Sequence, residues 1–103
     1  MESVVEVAEV VAREIEEYVA LGAYNEETYF LRDDAKRVYA FVSVPYVRPQ
    51  KSAIIMLARV REDNMVIIET DITDKPLYNT LIQSGVPRSQ IIRAYIGKTE
   101  PEP

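Results

Sequence analysis

Three carboxylates lie close together where a strand pattern gives way to a helix pattern: Glu69, Asp71 and Asp74, in ETDITD. Oxygen ligands of this kind can hold a hard cation such as magnesium or calcium, and through it serve phosphoryl or nucleic-acid hydrolysis. The pattern places no fourth carboxylate beside them, and the spacing of a calcium loop is absent. The same acids have a plainer duty, as helix caps and loop solubility at a strand-to-helix junction. The chain has no histidine and no cysteine. That removes the commonest general base, the commonest metal ligand and all thiolate chemistry. No phosphate loop, GxGxxG or GxSxG is present. The residue chemistry therefore points to a non-enzymatic protein without a cofactor or metal.

The elements around these acids come from periodicity. In Ser3–Leu21 the residues Val4, Ala8, Val11, Ile15, Tyr18 and then Leu21 or Gly22 recur at helical spacing, so a first helix is expected there. Ser3 with Glu6 reads as a capping box, Gly22 as a stop, and Arg13 can pair with Glu9 and Glu17. Thr28–Arg32, Arg37–Val44, Ser52–Arg61 and Met65–Thr70 alternate at strand spacing, with turn residues between them, and suggest an antiparallel meander. Asp74 sits where an N-cap belongs, Pro76 fits a first turn, and Leu77, Tyr78, Leu81 and Ile82 give a short amphipathic helix. Gly85-Val86-Pro87 then closes it, and Gln90–Ile96 reads as a last strand. The expected class is α+β. Residues 1–97 form a single domain and 98–103, KTEPEP, a flexible C-terminal tail.

With 103 residues, 48% of them hydrophobic, the chain can build one real core. MESVVEVAEVVARE has no basic leading region, and no apolar run is long enough to cross a bilayer, so a cytoplasmic protein without membrane contact is expected. The net charge of −5 is uneven. Residues 1–34 carry ten acids against two bases, and residues 36–61 carry six bases and no acid. The acidic helix face (Glu6, Glu9, Glu16) is a candidate docking surface for a basic partner, if it does more than stay solvated. Arg48 and Lys51, in the YVRPQK loop, are the candidate contacts on the basic side. Direct nucleic-acid binding through 36–61 is the alternative reading, with Tyr29, Tyr39, Tyr46, Tyr78 and Tyr95 either stacking on bases or simply packing the sheet.

One face of the sheet should bury against the helices. On the other we expect Tyr39, Phe41, Ile55 and Leu57, rimmed by Arg37, Arg59 and Arg61. An antiparallel sheet usually turns a polar face to water, so such a patch implies self-association as a homodimer or larger.

With these pieces in place, the chain resembles the XisI-like family, as a divergent member. These are small cyanobacterial proteins named for control of the excision of a DNA element. A leading helix precedes YFLRDDAKRVYAFVSV, which looks like the family's paired early strands. SAIIMLARVREDNMVIIETDITD follows as a hairpin running into an acid-containing junction at Asp71. The clearest match is LIQSGVPRSQII, similar to the family's Gly-[Val/Ile]-Pro-[Lys/Arg]-x-x-Ile; here it is Gly85, Val86, Pro87, Arg88 and Ile91. Two departures stand out: Val44-Pro45-Tyr46 where the family commonly has a tryptophan, and KTEPEP in place of a longer closing segment. The resemblance implies an antiparallel α+β fold, a homo-oligomer, and an accessory role beside XisH, a companion of nuclease-like appearance. It names no catalytic residue.

Overall fold

The computed structural model describes residues 6–47 and 50–103. Helix α1 spans Val7–Leu21. Ala8, Val11, Ala12 and Ile15 are buried along one stripe, as the spacing requires. The expected cap Ser3, and Val4 with it, lie outside the described residues. Glu6 stands at the N-cap with extended backbone, and its carbonyl accepts the N–H groups of Glu9 and Val10. Gly22 ends the helix with φ +71°. Leu21, a candidate for the apolar stripe, is exposed.

Five strands follow in sheet order β1-β2-β3-β4-β5: Glu26–Asp33, Val38–Pro45, Ala53–Val60, Val66–Asp71 and Ile91–Arg93. The first four form the expected antiparallel meander. The last strand differs from expectation. It is three residues long, flanked by single turns of 3-10 helix at Arg88–Gln90 and Ala94–Ile96, and it runs parallel to β4. A parallel neighbour cannot be reached by a hairpin, so the chain crosses over through helix α2, Leu77–Gln83. The residues 98–103, expected as a flexible tail, include Glu102, which sits 3.2 Å from both Arg93 and Lys98.

The end of α2 explains its sequence. Gly85 adopts φ +102°; its N–H reaches the carbonyl of Ile82, and the N–H of Val86 reaches that of Leu81. This pairing of two N–H groups with two orphan carbonyls needs a left-handed residue, and glycine supplies it without a Cβ clash. Val86 is thereby turned into the core, and Pro87 blocks any further helix.

The core lies between one sheet face and the two helices. It contains Val11 and Ile15 of α1, Tyr39, Phe41, Met56, Ala58, Val60, Val66, Ile68 and Ile91 of the sheet, and Leu77 and Leu81 of α2. Here the sheet reading needs correction. Tyr39 registers with Ala58, and Phe41 with Met56, so both aromatics belong to the helix-covered face. They are only 2% and 7% exposed. A register shift between Phe41 and Val42 adds one residue to β3, and Ile55 packs against the core as well. Of Tyr39, Phe41, Ile55 and Leu57, expected on one exposed patch, only Leu57 points the other way, with the rim residue Arg59. Alternation within each strand was legible. Which alternate set of one strand meets which set of the next is fixed by loop length and bulges, and a one-residue shift exchanges the faces.

Candidate functional site

The junction acids are built into the fold. Asp71, at the end of β4, accepts the N–H of Leu77 on Oδ2 at 2.7 Å; Oδ1 accepts the N–H and hydroxyl of Thr73 at 2.9 and 2.6 Å. It is Asp71, not Asp74, that supplies an acceptor to the first turn of α2, while Pro76 occupies the N-cap position. Its carboxylate also meets the partial positive charge of that helix end. Glu69 faces away and binds Arg59 Nε at 2.7 Å, and Asp74 is exposed. The three carboxylates are not brought together: each goes to a different place.

Tyr18 ties the two helices. Its hydroxyl donates to the carbonyl of Lys75 at 2.8 Å and lies 2.7 Å from Thr80 Oγ1, which can donate back to it. Burial is the largest influence on this phenol and raises its pKa above the ordinary 10.0; the charges of Asp71 and Glu14 act in the same direction. A small groove of about 90 Å³ lies alongside, lined by Glu14, Glu17, Tyr18, Leu21, Lys75 and Thr80.

The charged candidates sort differently. Glu6 at the N-cap and Glu9 and Glu16 on α1 are exposed, and Glu9 is 3.3 Å from Arg32 of β1. Arg13 pairs with Glu14 at 3.7 Å rather than with Glu9 or Glu17. On the basic side, Lys51 is exposed and Arg48 lies outside the described residues. The arginines in and beside strands β2 and β3 have close partners. Arg59 holds Glu69, Arg61 holds Asp63 at 2.7 Å, and Arg37 donates to the carbonyl of Arg61 and to Asn64 Oδ1. Arg37 does this from a left-handed backbone, φ +56°, a conformation uncommon for a non-glycine residue. The two bonds fasten the β1–β2 turn to the β3–β4 turn.

The outward sheet face is a surface that sequence reasoning placed on the wrong residues. Across the strands it reads in three rows: Tyr29, Val42 and Ile54; then Leu31, Ala40 and Leu57; then Asp33, Val38, Arg59, Ile67 and Ile92. Tyr29, Leu31 and Ile54 are 46%, 53% and 50% exposed. The small Ala40 leaves a shallow hollow of about 260 Å³ beside Leu31, Arg32, Asp33 and Val38. The signal for this face was present in β2, where Val38, Ala40 and Val42 alternate with Tyr39 and Phe41. Nothing in one strand says which set the helices take. At the end of the face, Tyr46 donates to Glu27 Oε2 at 2.7 Å, and that bond raises the phenol pKa.

Comparison with known proteins places this architecture. No curated protein matches the chain. Two crystal structures from Anabaena variabilis ATCC 29413 are similar to it, each with 16% sequence identity. One is a XisI-like protein, with a TM-score of 0.76 over 85% of this chain and 83% of that one. The other is the fdxN element excision controlling factor XisI, with a TM-score of 0.72 over 85% of this chain and 82% of that one. At that identity the likeness speaks for the fold: a leading helix on a mostly antiparallel sheet, with a second helix carrying the crossover. The sequence speaks for the family, since the XisI protein family matches residues 1–101, from the first helix through the Gly85-Val86-Pro87 turn to the last residues of the chain. This chain belongs to the XisI family.

Proposed function

We propose that this chain is a non-enzymatic regulatory protein of the excision-controlling type, acting in the cytoplasm through contacts with other proteins. The observation that carries the reading is the family match along residues 1–101, in a family with a solved relative named as an excision controlling factor. The geometry supports contact rather than catalysis. Asp71 holds a helix start, Glu69 and Asp63 hold arginines, and Tyr18 holds two helices together. What the molecule offers outward is an acidic helix face on one side and an apolar sheet face on the other. A nuclease-like companion of the XisH type, with a basic surface, suits the exposed Glu6, Glu9 and Glu16.

Nucleic-acid binding through 36–61 is the weaker reading. Arg59 and Arg61 are paired with Glu69 and Asp63, which lowers the positive potential that a phosphate would meet. Capture of an XisH-type companion on immobilised chain at low salt tests the proposal. Binding that weakens with salt and falls on Glu6→Lys with Glu16→Lys is the expected outcome. An empty capture in dilute buffer, together with a salt-dependent shift of duplex DNA by the chain alone, would replace it with the nucleic-acid reading.

A further inference from the structure

We propose that the free edge of β1 takes up an extended basic segment of a partner protein as a sixth strand of the sheet. This is a second surface, apart from the acidic face of α1, and a different kind of contact, made by backbone hydrogen bonds. The first ground is the state of that edge. β1 has β2 as its only neighbour in the sheet. In an antiparallel pair, alternate residues turn their N–H and C=O groups to the neighbour. The N–H of Tyr46 donates to the carbonyl of Asn25 at 3.2 Å, and the N–H of Val60 to that of Arg37 at 2.9 Å, which sets the phase from both sides of β2. Glu27, Tyr29, Leu31 and Asp33 therefore bond to β2, while Glu26, Thr28, Phe30 and Arg32 point their backbone groups off the sheet. Glu26 is answered by Ala23 in an isolated bridge. The N–H and C=O groups of Thr28, Phe30 and Arg32 find no backbone partner among the described residues. Their side chains turn to the helix side instead: the hydroxyl of Thr28 donates to the carbonyl of Val19 at 3.0 Å, Phe30 packs against the core, and Arg32 holds Glu9.

The second ground is regularity. Sheet edges are usually guarded by shortness, a proline or a bulge. β5, at the opposite edge, is three residues long. β1 runs for eight residues without a proline, and its register with β2 is unbroken, whereas the β2–β3 and β3–β4 pairings each contain a shift. A guest strand meets a continuous ladder.

The third ground names the guest. Outward, β1 shows Glu27, Tyr29, Leu31 and Asp33 in alternation: an acid, two apolar side chains that are 46% and 53% exposed, and an acid. Glu27 and Asp33 each give one oxygen to a bond, with the Tyr46 hydroxyl and the Lys36 N–H, and keep the other unbonded among the described residues. A strand added alongside sets its own alternate residues about 5 Å from these four. The matching pattern is basic, apolar, apolar, basic at every second residue. The charge around the edge has the same sense: residues 24–34 carry Glu26, Glu27, Asp33 and Asp34 against Arg32, which is already held by Glu9 and Asp34. A second copy of this strand fits badly. Antiparallel pairing of two β1 edges about Phe30 sets Glu27 opposite Asp33 twice, and like charges directly opposite are destabilising.

The test uses the full chain and the blocked peptide KTVTVTK, titrated in dilute buffer and followed by backbone amide NMR. Laid antiparallel with its lysines beside Asp33 and Glu27, the peptide bonds to β1 through its threonine amides and turns its valine amides away. Binding should shift the amides of Thr28, Phe30 and Arg32 and slow their hydrogen exchange. N-methylation at the threonines should weaken binding about tenfold or more, while N-methylation at the valines leaves it within about twofold. ETVTVTE should not bind, and Leu31→Lys should weaken KTVTVTK about tenfold while circular dichroism stays native. The methylated peptides leave the chain itself untouched, so their result does not depend on how a variant folds. Absence of binding by KTVTVTK overturns the proposal, as does equal tolerance of both methylation patterns, which marks attraction by charge alone. Shifts confined to Glu6, Glu9 and Glu16 also overturn it and leave the α1 contact standing. Edge binding that survives Glu6→Lys with Glu16→Lys supports it, whatever becomes of the contact through α1.

Discussion

The two faces of this sheet are made by the same strands from similar residues, yet they have different fates. On the helix side Tyr39 and Phe41 sit under α1 with almost no exposure, and Met56, Ala58 and Ile68 have none. On the other side Tyr29, Leu31 and Ile54 keep about half of theirs. Hydropathy does not separate the two sets. What separates them is the layer above, since α1 and α2 supply Val11, Ile15, Leu77 and Leu81 to one face only. Burial here is a property of topology rather than of residue type: on the outward face Ile67 and Ile92, toward β5, are only 5% exposed, while the β1–β3 end stays open.

The sharpest way to test that contrast is a pair of neighbours in β3. Met56 points into the core and Leu57 points outward. Met56→Ala removes a fully buried side chain and leaves a cavity, so it should cost about 3 kcal/mol by urea unfolding, at any protein concentration. Leu57→Ala should cost about 1 kcal/mol in dilute solution, where its side chain is partly solvated. Equal losses would mean that the outward face at Leu57 is already closed within one chain.

Next in size comes the junction that turns the chain back over the covered face. Asp71→Ala removes the acceptor for Leu77 N–H and for two groups of Thr73, and it should cost about 1–2 kcal/mol. Asp74→Ala, at the position that sequence spacing favours for the cap, should change stability by less than about 0.5 kcal/mol. A reversed order would break the assignment of the cap.

Much of this was legible in advance. The leading helix, the four strands of the meander, the short second helix and its Gly85-Val86-Pro87 ending are each set by local pattern; the strands stand within two residues of their expected places, and the helix ends at Leu21 as expected but starts at Val7 rather than Ser3. The failures share one cause. Asp71 caps from six residues before Leu77, Ile55 turns inward through a bulge, and β5 pairs in parallel after a crossover. All three depend on how separate segments meet, which no window of neighbouring residues records. The candidate interface failed for the same reason. Alternation along β2 places Tyr39 and Phe41 together, but nothing local says that the helices take that set, and the bulge at Ile55 breaks the alternation in β3, so Tyr39 and Phe41 lie in the core and not on the expected contact patch.

The smallest expected effect concerns what holds the covering layer in place. Tyr18 links α1 to the carbonyl of Lys75 and to Thr80 of α2. Tyr18→Phe should cost about 1 kcal/mol near neutral pH, the net worth of such a bond. The pH dependence gives a second reading. Burial raises the pKa of Tyr18 in the folded chain, so the folded state holds this proton more tightly than the unfolded state does. Its contribution is complete below the unfolded value near 10.0 and is lost as pH rises through the folded one. Tyr39 and Tyr95 are raised by burial in the same way and add to the same alkaline loss. Wild-type stability should therefore fall above about pH 10, and Tyr18→Phe should fall less steeply over that range. Parallel curves would show that the α1–α2 link does not depend on this hydroxyl, and that the helices stay on the covered face through Val11, Ile15, Leu77 and Leu81 alone.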